Sequence, residues 1–271
     1  MHSWVDGVSA DVLAVSNRGL AYGDGLFETL LVRGGRPRLF ERHLARLLDG
    51  CQRLHLPLDS ALLTEEAQRF ATAMGDGVLK VIVTRGDAPR GYAIDPLAAP
   101  RRILQAAPLP AYPSAHAEEG VALFQCAMRL AEQPALAGLK HLNRLEQVLA
   151  RSEWSDPRWA EGLMCDTSGR VIEGVYSNLF MVCDGRLCTP ALARCGVAGV
   201  MRAELLAQAQ ALGMETLVAD FSLDDLACAD EVFVCNSVYG VWPVLTCGAA
   251  RWQAGAVTRK LQRIARELLD A

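Results

Sequence analysis

A proline-rich stretch near the middle of the chain divides it into two parts. Residues 106–119 contain three prolines and show neither the 3.6-residue period of a helix nor the alternation of a strand. At 271 residues, the chain is also longer than a typical single domain. We therefore predict a smaller N-terminal α/β domain over 1–107, a linker over 108–118 and a larger C-terminal domain over 119–271.

Strand and helix patterns alternate in both parts. In the first part, apolar runs predict strands at 27–32 and 79–84, Gly34-Gly35 predicts a hairpin turn into a strand at 37–40, and leucine spacing predicts a helix over 44–54. The predictions for the second part are strands at 121–124, 171–182, 187–188 and 231–235, a hairpin turn at Asp184-Gly185, helices at 142–149 and 257–269, and a glycine-rich loop leading into a helix over 197–212. This alternation indicates an α/β (α+β) protein.

Charge and apolar content exclude several classes of protein. The net charge is -4, whereas a general nucleic-acid binder needs an excess of basic residues. No run of eighteen apolar residues occurs and the N-terminus lacks the apolar segment of a signal peptide, so we expect neither a membrane span nor secretion. The nine cysteines include no C-x-x-C pair, which favours buried free thiols and a cytoplasmic location.

Common catalytic signatures are absent from the sequence. It contains no P-loop, no G-x-G-x-x-G, no H-E-x-x-H and no G-x-S-x-G motif. The five histidines also lack the spacing of metal ligands. We therefore expect no bound metal, and neither a kinase, a zinc enzyme nor a standard serine hydrolase.

Amine chemistry has few candidates, because only three of the 27 basic residues are lysines. Lys140 lies just before a predicted helix, where it is either a solvated side chain or a partly buried amine that attacks a carbonyl group. Lys80 lies in the middle of a predicted strand between apolar neighbours and is the second candidate. Lys260 flanks the apolar side of the C-terminal helix and is expected at the surface.

Other polar residues could complete a cofactor site. Glu173 interrupts an apolar strand, so it is either an edge-strand charge or a buried carboxylate that needs a partner. The loop 195–201 precedes a helix and the turn 235–238 follows a strand, and both present amides suited to an anion. Arg46 lies on the polar side of its helix, where an arginine is more often solvated than bound to a ligand. An amine, a carboxylate and a phosphate cradle with an arginine are the parts that a pyridoxal 5'-phosphate site requires.

The candidate residues lie in motifs distributed over nearly the whole chain. These motifs are 17–29 (NRGLAYGDGLFET), 43–47 (HLARL), 85–92 (RGDAPRGY), 138–147 (GLKHLNRLEQ), Glu173 with 177–180 (SNLF), 196–202 (GVAGVMR) and 235–237 (CNS). With them the chain resembles the fold-type IV pyridoxal-phosphate enzymes, the group of the branched-chain and D-amino acid aminotransferases. Within this group, the string KHLNRLEQ from Lys140 is most similar to the lyases that act on 4-amino-4-deoxychorismate. Leu145 stands where the aminotransferases carry a tyrosine.

The resemblance implies a fold and a cofactor. The fold is the two-domain fold-type IV architecture, D-amino acid aminotransferase-like, with pyridoxal 5'-phosphate bound by the larger C-terminal domain. Lys140 is implied to attach the cofactor and to act as general acid and base, and Glu173 to pair with the pyridine nitrogen. The groups implied for the phosphate are Arg46, the amides of Val197 and Ala198, and Ser237 with Val238.

The resemblance also implies a substrate and a reaction. Thr29 is implied to position the substrate or move a proton, and Arg90 and Tyr92 are candidates for binding the dicarboxylate. The implied activity is elimination of pyruvate from 4-amino-4-deoxychorismate, giving 4-aminobenzoate for folate biosynthesis, by a homodimer. The alternatives are a D-amino acid or branched-chain amino acid aminotransferase of the same fold and a cofactor-binding protein without activity.

Overall fold

The computed structural model of the protein describes residues 2–95 and 98–271. The described chain forms two compact units. The first unit comprises the residues up to Pro110 together with Leu139–Asn143, and the second comprises Ala111–Gly138 and Arg144–Ala271.

Helices and strands are numbered in chain order. The strands are β1 (Ser3–Val5), β2 (Val8–Ser9), β3 (Gly25–Arg33), β4 (Arg36–Pro37), β5 (Gly77–Thr84), β6 (Arg101–Ala107), β7 (Val121–Leu130), β8 (Trp159–Asp166), β9 (Val171–Gly174), β10 (Asn178–Cys183), β11 (Arg186–Pro190), β12 (Thr216–Ala219), β13 (Glu231–Asn236), β14 (Gly240–Cys247) and β15 (Ala250–Arg251). The helices are α1 (Arg18–Tyr22), α2 (Phe40–Arg53), α3 (Ser60–Met74), α4 (Ala115–Glu118), α5 (Leu145–Arg151), α6 (Val200–Ala211), α7 (Leu223–Ala227) and α8 (Ala256–Asp270).

The first unit contains an antiparallel sheet that carries two helices. Among the described residues its strand order is β2-β1-β6-β5-β3-β4. Helix α2 packs on β3, and α3 packs on β4, β5 and β6. Large apolar side chains fill this layer, since Leu30, Leu63, Phe70 and Leu79 are almost completely buried. Burial of these side chains is the main favourable contribution to the stability of this unit.

In the second unit, the strands close into a ring. The order of neighbours is β10-β13-β14-β7-β8-β9, and β9 also pairs with β10, which completes the circuit. The core of this unit includes Leu123, Leu163, Leu179 and Val234, all fully buried. Closure places most of these strands between two neighbours, so few backbone N–H and C=O groups lie at a sheet edge.

Most of the predicted elements are present, and the α/β (α+β) class is confirmed. The strands predicted at 27–32 and 79–84 lie within β3 and β5. Gly34-Gly35 and Asp184-Gly185 both join antiparallel neighbours, as the hairpin signals predict. The helices expected over 44–54 and 257–269 correspond to α2 and α8, and the helix expected within 197–212 corresponds to α6.

Three predicted elements are wrong in their limits. The strand predicted over 171–182 is two strands, β9 and β10, which are separated by a bend at 175–177. The strand predicted over 37–40 ends at Pro37, because Leu39 takes a positive φ of 52° and α2 begins at the next residue. The helix predicted from 142 begins at Leu145 instead. Leu142 donates its N–H to the Gly25 carbonyl (3.0 Å), so it extends the edge of β3 and is unavailable to a helix.

The unit boundary at Pro110 lies within the linker predicted over 108–118. The later part of that segment packs in the second unit, where the rings of Tyr112 and His116 lie 4.9 and 4.8 Å from Trp242. Leu139–Asn143 belongs to the first unit, although the domain predicted over 119–271 includes it. Its backbone pairing with β3 accounts for this difference. The predicted domain limits otherwise stay a prediction.

Three findings concern the features expected from composition. Within residues 2–95 and 98–271, no helix is long and apolar enough to cross a lipid bilayer. The same residues contain no group of three or more acidic, histidine or cysteine side chains that could hold a metal ion. All nine cysteines are free thiols, but only seven are buried as predicted, since Cys228 is exposed and Cys183 is partly exposed. Burial raises the pKa of Cys126 and Cys235 to about 12. These two buried thiols are therefore protonated and unreactive at neutral pH.

Candidate active site

Lys140 is half-buried in the first unit, beside the start of β3. The Phe27 N–H donates to the Lys140 carbonyl (2.9 Å), which fixes the backbone of the lysine. The Lys140 Nζ lies 4.4 Å from the centre of the Phe27 ring. Because an aromatic face attracts an ammonium group, this ring holds the amine at a defined position.

The second candidate lysine lies at the same ring. Lys80 is directly opposite Thr29 in the β3–β5 pair, and its Nζ is 5.2 Å from the centre of the Phe27 ring. Side chains alternate along a strand, so Phe27 and Thr29 share one face of the sheet, and Lys80 shares it with them. The structure therefore brings Lys140, Lys80 and Thr29 to the Phe27 side of this sheet.

Arg46 lies on α2 and is paired with a carboxylate of β3. Its Nε and a terminal guanidinium nitrogen donate to Glu28 at 2.8 and 2.5 Å. His43 contacts the same carboxylate through Nδ1 at 2.6 Å. Burial opposes ionisation of Glu28, but Arg46 and His43 outweigh it and lower the pKa of Glu28 to about 2. The predicted phosphate ligand Arg46 is thus held by a two-point ion pair.

Glu173 is a buried carboxylate of the second unit, with 4% of its surface exposed. Its strand β9 pairs with β8 on one side and β10 on the other, so the interpretation as an edge-strand charge is wrong. The Val197 N–H donates to Glu173 Oε2 (2.8 Å), and the Asn178 amide lies 3.4 Å from the same oxygen. Asn178 also donates to the Val197 carbonyl (2.9 Å), which ties the carboxylate to the loop before α6.

That loop approaches Glu173 closely because Gly196 has no side chain. Its φ is +82°, and a Cβ at this position would lie 2.8 Å from side-chain atoms of Ile172 and Leu192. The Gly138 N–H donates to the Gly196 carbonyl (2.9 Å), and the Ala198 N–H donates back to Gly138 (3.0 Å). The loop is therefore paired with the residue that stands two positions before Lys140 in the chain.

The amides predicted to hold phosphate already have acceptors in the structure. The Val197 N–H is bound to Glu173, and the Ala198 N–H to Gly138. The Val238 N–H donates to Asn236 Oδ1 (2.9 Å) within the turn after β13, where Ser237 is half-buried. A backbone N–H has one hydrogen to donate. The phosphate roles of these amides stay a prediction. To bind phosphate, each N–H group would have to give up its present hydrogen bond within the protein.

The predicted substrate loop is anchored through its backbone. Arg90 is exposed and Tyr92 is 85% exposed, so both side chains face solvent. Arg18 donates to the Gly91 carbonyl (2.8 Å), and the Gly91 N–H donates to the Tyr22 hydroxyl (3.2 Å). These contacts hold the loop on α1, and the Tyr92 ring also lies 5.3 Å from the Tyr22 ring. The substrate roles of Arg90 and Tyr92 stay a prediction.

Glu161 is a further buried carboxylate that sequence analysis does not single out. It is fully buried on β8. It accepts the Ser177 hydroxyl (2.7 Å) and the N–H groups of Gly162 (2.8 Å), Val175 (3.0 Å) and Tyr176 (3.3 Å). These bonds fix the turn between Glu173 and Asn178. Burial dominates over the hydrogen bonds and raises the pKa of Glu161 to about 7.

The raised pKa predicts a stability that depends on pH through Glu161. The folded protein holds the Glu161 proton more tightly than the unfolded chain, so its stabilising contribution is complete below the ordinary carboxyl pKa and is lost as pH rises through 7. Between pH 5.5 and 7.5, the free energy of unfolding of the wild type should fall by about 2 kcal/mol relative to Glu161→Gln. Urea unfolding at both pH values measures this difference. Equal pH dependence in the two proteins would contradict it.

Three residues that hold the candidate side chains in place were given no role from the sequence. Phe27 lies two positions before Thr29 in the motif FET, and Asn178 lies in the motif SNLF, whose residues were assigned no role. Glu161 interrupts the apolar strand β8, which is the same signal that singled out Glu173. An acidic residue between buried neighbours was therefore a usable signal in both strands.

A family model and two whole-chain comparisons place this geometry among known proteins. The model described as amino-transferase class IV matches residues 25–247. The aminodeoxychorismate lyase of Vibrio harveyi is 36% identical over 264 residues, which cover 96% of this chain and 97% of that protein. The crystal structure of 4-amino-4-deoxychorismate lyase from Pseudomonas aeruginosa superposes with a TM-score of 0.98 at 60% identity, covering 99% of this chain and 100% of that one. The predicted fold-type IV architecture is thereby confirmed.

Aminotransferases match the chain at lower sequence identity. The branched-chain-amino-acid aminotransferase of Escherichia coli K12 is 26% identical over 269 residues, which cover 92% of this chain and 85% of that protein. Its enzyme class is the alternative that the sequence left open. The identity to the Vibrio harveyi and Pseudomonas aeruginosa lyases is higher, and the matches to these two proteins cover more of both chains.

Proposed function

The chain belongs to the class IV amino-transferase family, and on this premise we propose that it is a pyridoxal-phosphate-dependent oxo-acid lyase. Its substrate is 4-amino-4-deoxychorismate, and its products are 4-aminobenzoate, a precursor of folate, and pyruvate. The observation that carries this proposal is the full-length similarity to the two lyases. Leu145, in place of the tyrosine expected of the aminotransferases, agrees with it. The aminotransferase alternative is supported only as a related activity of the family.

The residues of the chain fit the cofactor of this family. The donor set offers an amine at Lys140 and a buried carboxylate at Glu173, which neutral N–H groups hold in place. A Cβ at Gly196 would fill the space where the loop before α6 approaches Glu173. In the proposal Lys140 binds the cofactor, Glu173 pairs with its ring nitrogen, and the phosphate is held by Arg46, Val197, Ala198, Ser237 and Val238. Bound pyridoxal phosphate supplies an electron sink for breaking the C–H bond next to the substrate amine.

Lys140 moves the protons of the proposed reaction. Its Nζ takes the proton from C4 of the substrate, after which the bond from ring C3 to the enolpyruvyl oxygen breaks and the ring becomes aromatic. The same amine then returns a proton to the methylene carbon of the departing group, which leaves as pyruvate. All atoms of the substrate are present in the two products, so the reaction needs no further reactant. Thr29, on the Phe27 side of the sheet, positions the substrate, and Arg90 and Tyr92 bind its carboxylates.

Quantifying both products tests the proposed function. Purified protein loaded with pyridoxal phosphate is incubated with 4-amino-4-deoxychorismate, and 4-aminobenzoate and pyruvate are measured separately. We expect equal amounts of the two. If neither forms, while D-amino acids or branched-chain amino acids convert the bound cofactor to its amine form, the protein is an aminotransferase. If the protein binds the cofactor and acts on none of these substrates, it is a cofactor-binding protein without activity, and both enzymatic hypotheses are wrong.

We further propose that the protein is a homodimer. Its support is an apolar surface on α5, where Leu145 is 75%, Val148 60% and Leu149 54% exposed. Uncovered apolar area of this kind is typical of a protein interface. Light scattering should give twice the chain mass of 29.3 kDa for the wild type, and Val148→Glu should shift it toward the chain mass. A wild-type protein at the chain mass would contradict the proposal.

A cytoplasmic location is proposed on the basis of the thiols. All nine cysteines are free, including the exposed Cys228 and the partly exposed Cys183. Thiols of this kind persist in a reducing compartment. Fractionation of the native cell should recover the activity with cytoplasmic marker enzymes, and recovery with extracellular proteins would contradict this location.

A further inference from the structure

Two motif residues of the first unit have no role in the proposed reaction. Glu28 is the central residue of Phe27-Glu-Thr29, and His43 begins the motif HLARL on α2. The structure brings both to the same place, because Glu28 points from β3 toward α2 and is covered by it. Glu28 is 2% exposed and His43 is 1% exposed. Such burial of two polar side chains requires a specific arrangement of partners.

The partner of Glu28 is the guanidinium group of Arg46. Arg46 donates through Nε to Glu28 Oε1 (2.8 Å) and through a terminal nitrogen to Oε2 (2.5 Å). Two parallel bonds from a planar guanidinium to a planar carboxylate fix the plane as well as the position of the arginine. An arginine held in this way gives up less rotational freedom when it binds a further anion.

His43 in turn fixes the carboxylate. Its Nδ1 lies 2.6 Å from Glu28 Oε2, and burial is the main cause that lowers the pKa of His43. A neutral imidazole donates from the nitrogen that carries its hydrogen, so the Nδ1–H tautomer makes this bond. The result is a chain of contacts from His43 through Glu28 to Arg46. Such a buried ion pair contributes little net stability, because desolvation of the charges offsets their attraction. The Glu28–Arg46 pair therefore serves to hold the arginine rigidly more than to stabilise the fold.

We propose that Glu28, supported by His43, is the positioning residue that orients Arg46 for binding a phosphate group. The inference rests on the proposed function, in which Arg46 contacts the phosphate of the cofactor. Glu28 does not touch the cofactor in this proposal. It acts only through Arg46, and its effect is confined to ligands that carry a phosphate.

Comparison of two ligands separates this role from a general structural one. Apoprotein is titrated with pyridoxal phosphate and with pyridoxal, which lacks the phosphate, and binding is followed by absorbance. Glu28→Gln should weaken binding of pyridoxal phosphate by roughly tenfold or more, the cost of ordering a free arginine side chain, and leave binding of pyridoxal unchanged. Arg46→Ala should show the same selective loss, and the double variant should lose no more than Arg46→Ala alone.

The chain offers a matched control in the same unit. Glu66 on α3 is 4% exposed and accepts the same kind of two-point pair from Arg102, through Nε (2.8 Å) and a terminal nitrogen (3.0 Å). Glu66→Gln should lower stability, as loss of a buried pair does, and should leave the affinity for pyridoxal phosphate unchanged. If Glu28→Gln does not fold, His43→Asn keeps the Glu28–Arg46 pair and should produce a smaller loss that is again confined to the phosphorylated ligand.

Several results would overturn the inference. Wild-type affinity of Glu28→Gln for pyridoxal phosphate would do so, as would an equal loss for both ligands, which indicates a structural role. Unchanged affinity of Arg46→Ala would remove the phosphate contact on which the inference depends. A wild-type protein that binds no pyridoxal phosphate would instead contradict the proposed function itself.

Discussion

Replacement of Lys140 by alanine is expected to abolish product formation. Loss of a general acid and base alone lowers turnover by roughly 10²–10⁴-fold. Here the same side chain also attaches the cofactor in the proposal, so the loss should exceed that range. Treatment of the wild type with pyridoxal phosphate and borohydride, followed by peptide mass spectrometry, should place the cofactor on the peptide that contains Lys140. In the Lys140→Ala variant, no lysine should carry it.

Lys80 supplies the matched control for this experiment. Its amine lies 5.2 Å from the centre of the Phe27 ring, compared with 4.4 Å for Lys140, so both variants remove a cation from the same aromatic face. Lys80→Ala should still bind the cofactor covalently and retain turnover. Lys260→Ala, on α8, should match the wild type in every assay. If Lys80→Ala abolishes attachment while Lys140→Ala preserves it, the assignment of the two lysines is wrong.

Replacement of Glu173 by glutamine is expected to lower kcat on the order of 10²-fold or more. The glutamine retains an oxygen for the Val197 N–H but carries no negative charge, so the pairing proposed with the ring nitrogen loses its electrostatic strength. The loss should occur in kcat more than in the binding of the cofactor. Steady-state kinetics with 4-amino-4-deoxychorismate and an absorbance titration of the cofactor measure the two separately.

Glu231 provides the comparison for Glu173. It also accepts backbone N–H groups in the second unit, from Thr258 (2.7 Å) and Val257 (3.2 Å) at the start of α8. Glu231→Gln alters the same kind of contact at the end of a helix that carries no predicted site residue. The kcat of Glu231→Gln should stay within a factor of about two or three of the wild-type value, as expected for a substitution away from the active site. An unchanged kcat in Glu173→Gln would remove this carboxylate from the proposed mechanism.

The sequence singled out the candidate chemical groups. Lys140 stood out because the chain has only three lysines, and Glu173 because a carboxylate interrupted an apolar strand. The structure confirms that Glu173 is buried between two neighbouring strands. Residue type and local hydrophobic pattern suffice for such inferences, because both are properties of a short segment.

The same reasoning was weaker where a role depends on the partners of a group. Arg46 had the pattern of a solvated arginine, and its pairing with Glu28 joins residues 18 positions apart. The backbone amides of Val197 and Ala198 were predicted from a glycine-rich loop before a helix, and both donate within the protein in the structure. Hydrogen-bond partners distant in sequence leave no signal in either segment alone.

By itself, the sequence determined part of the succession of strands and helices, the hairpin turns and the candidate lysine and carboxylate, because turn geometry and hydrophobic periodicity are local. It did not predict α3, β6, β8 or β14. Only the tertiary structure decided that Leu139–Asn143 joins the sheet of the first unit and that Phe27 receives both lysine side chains. It alone decided that Glu28 and His43 hold Arg46. These contacts depend on strand pairing and helix packing over long sequence separations, where the free energy of burial selects the partners.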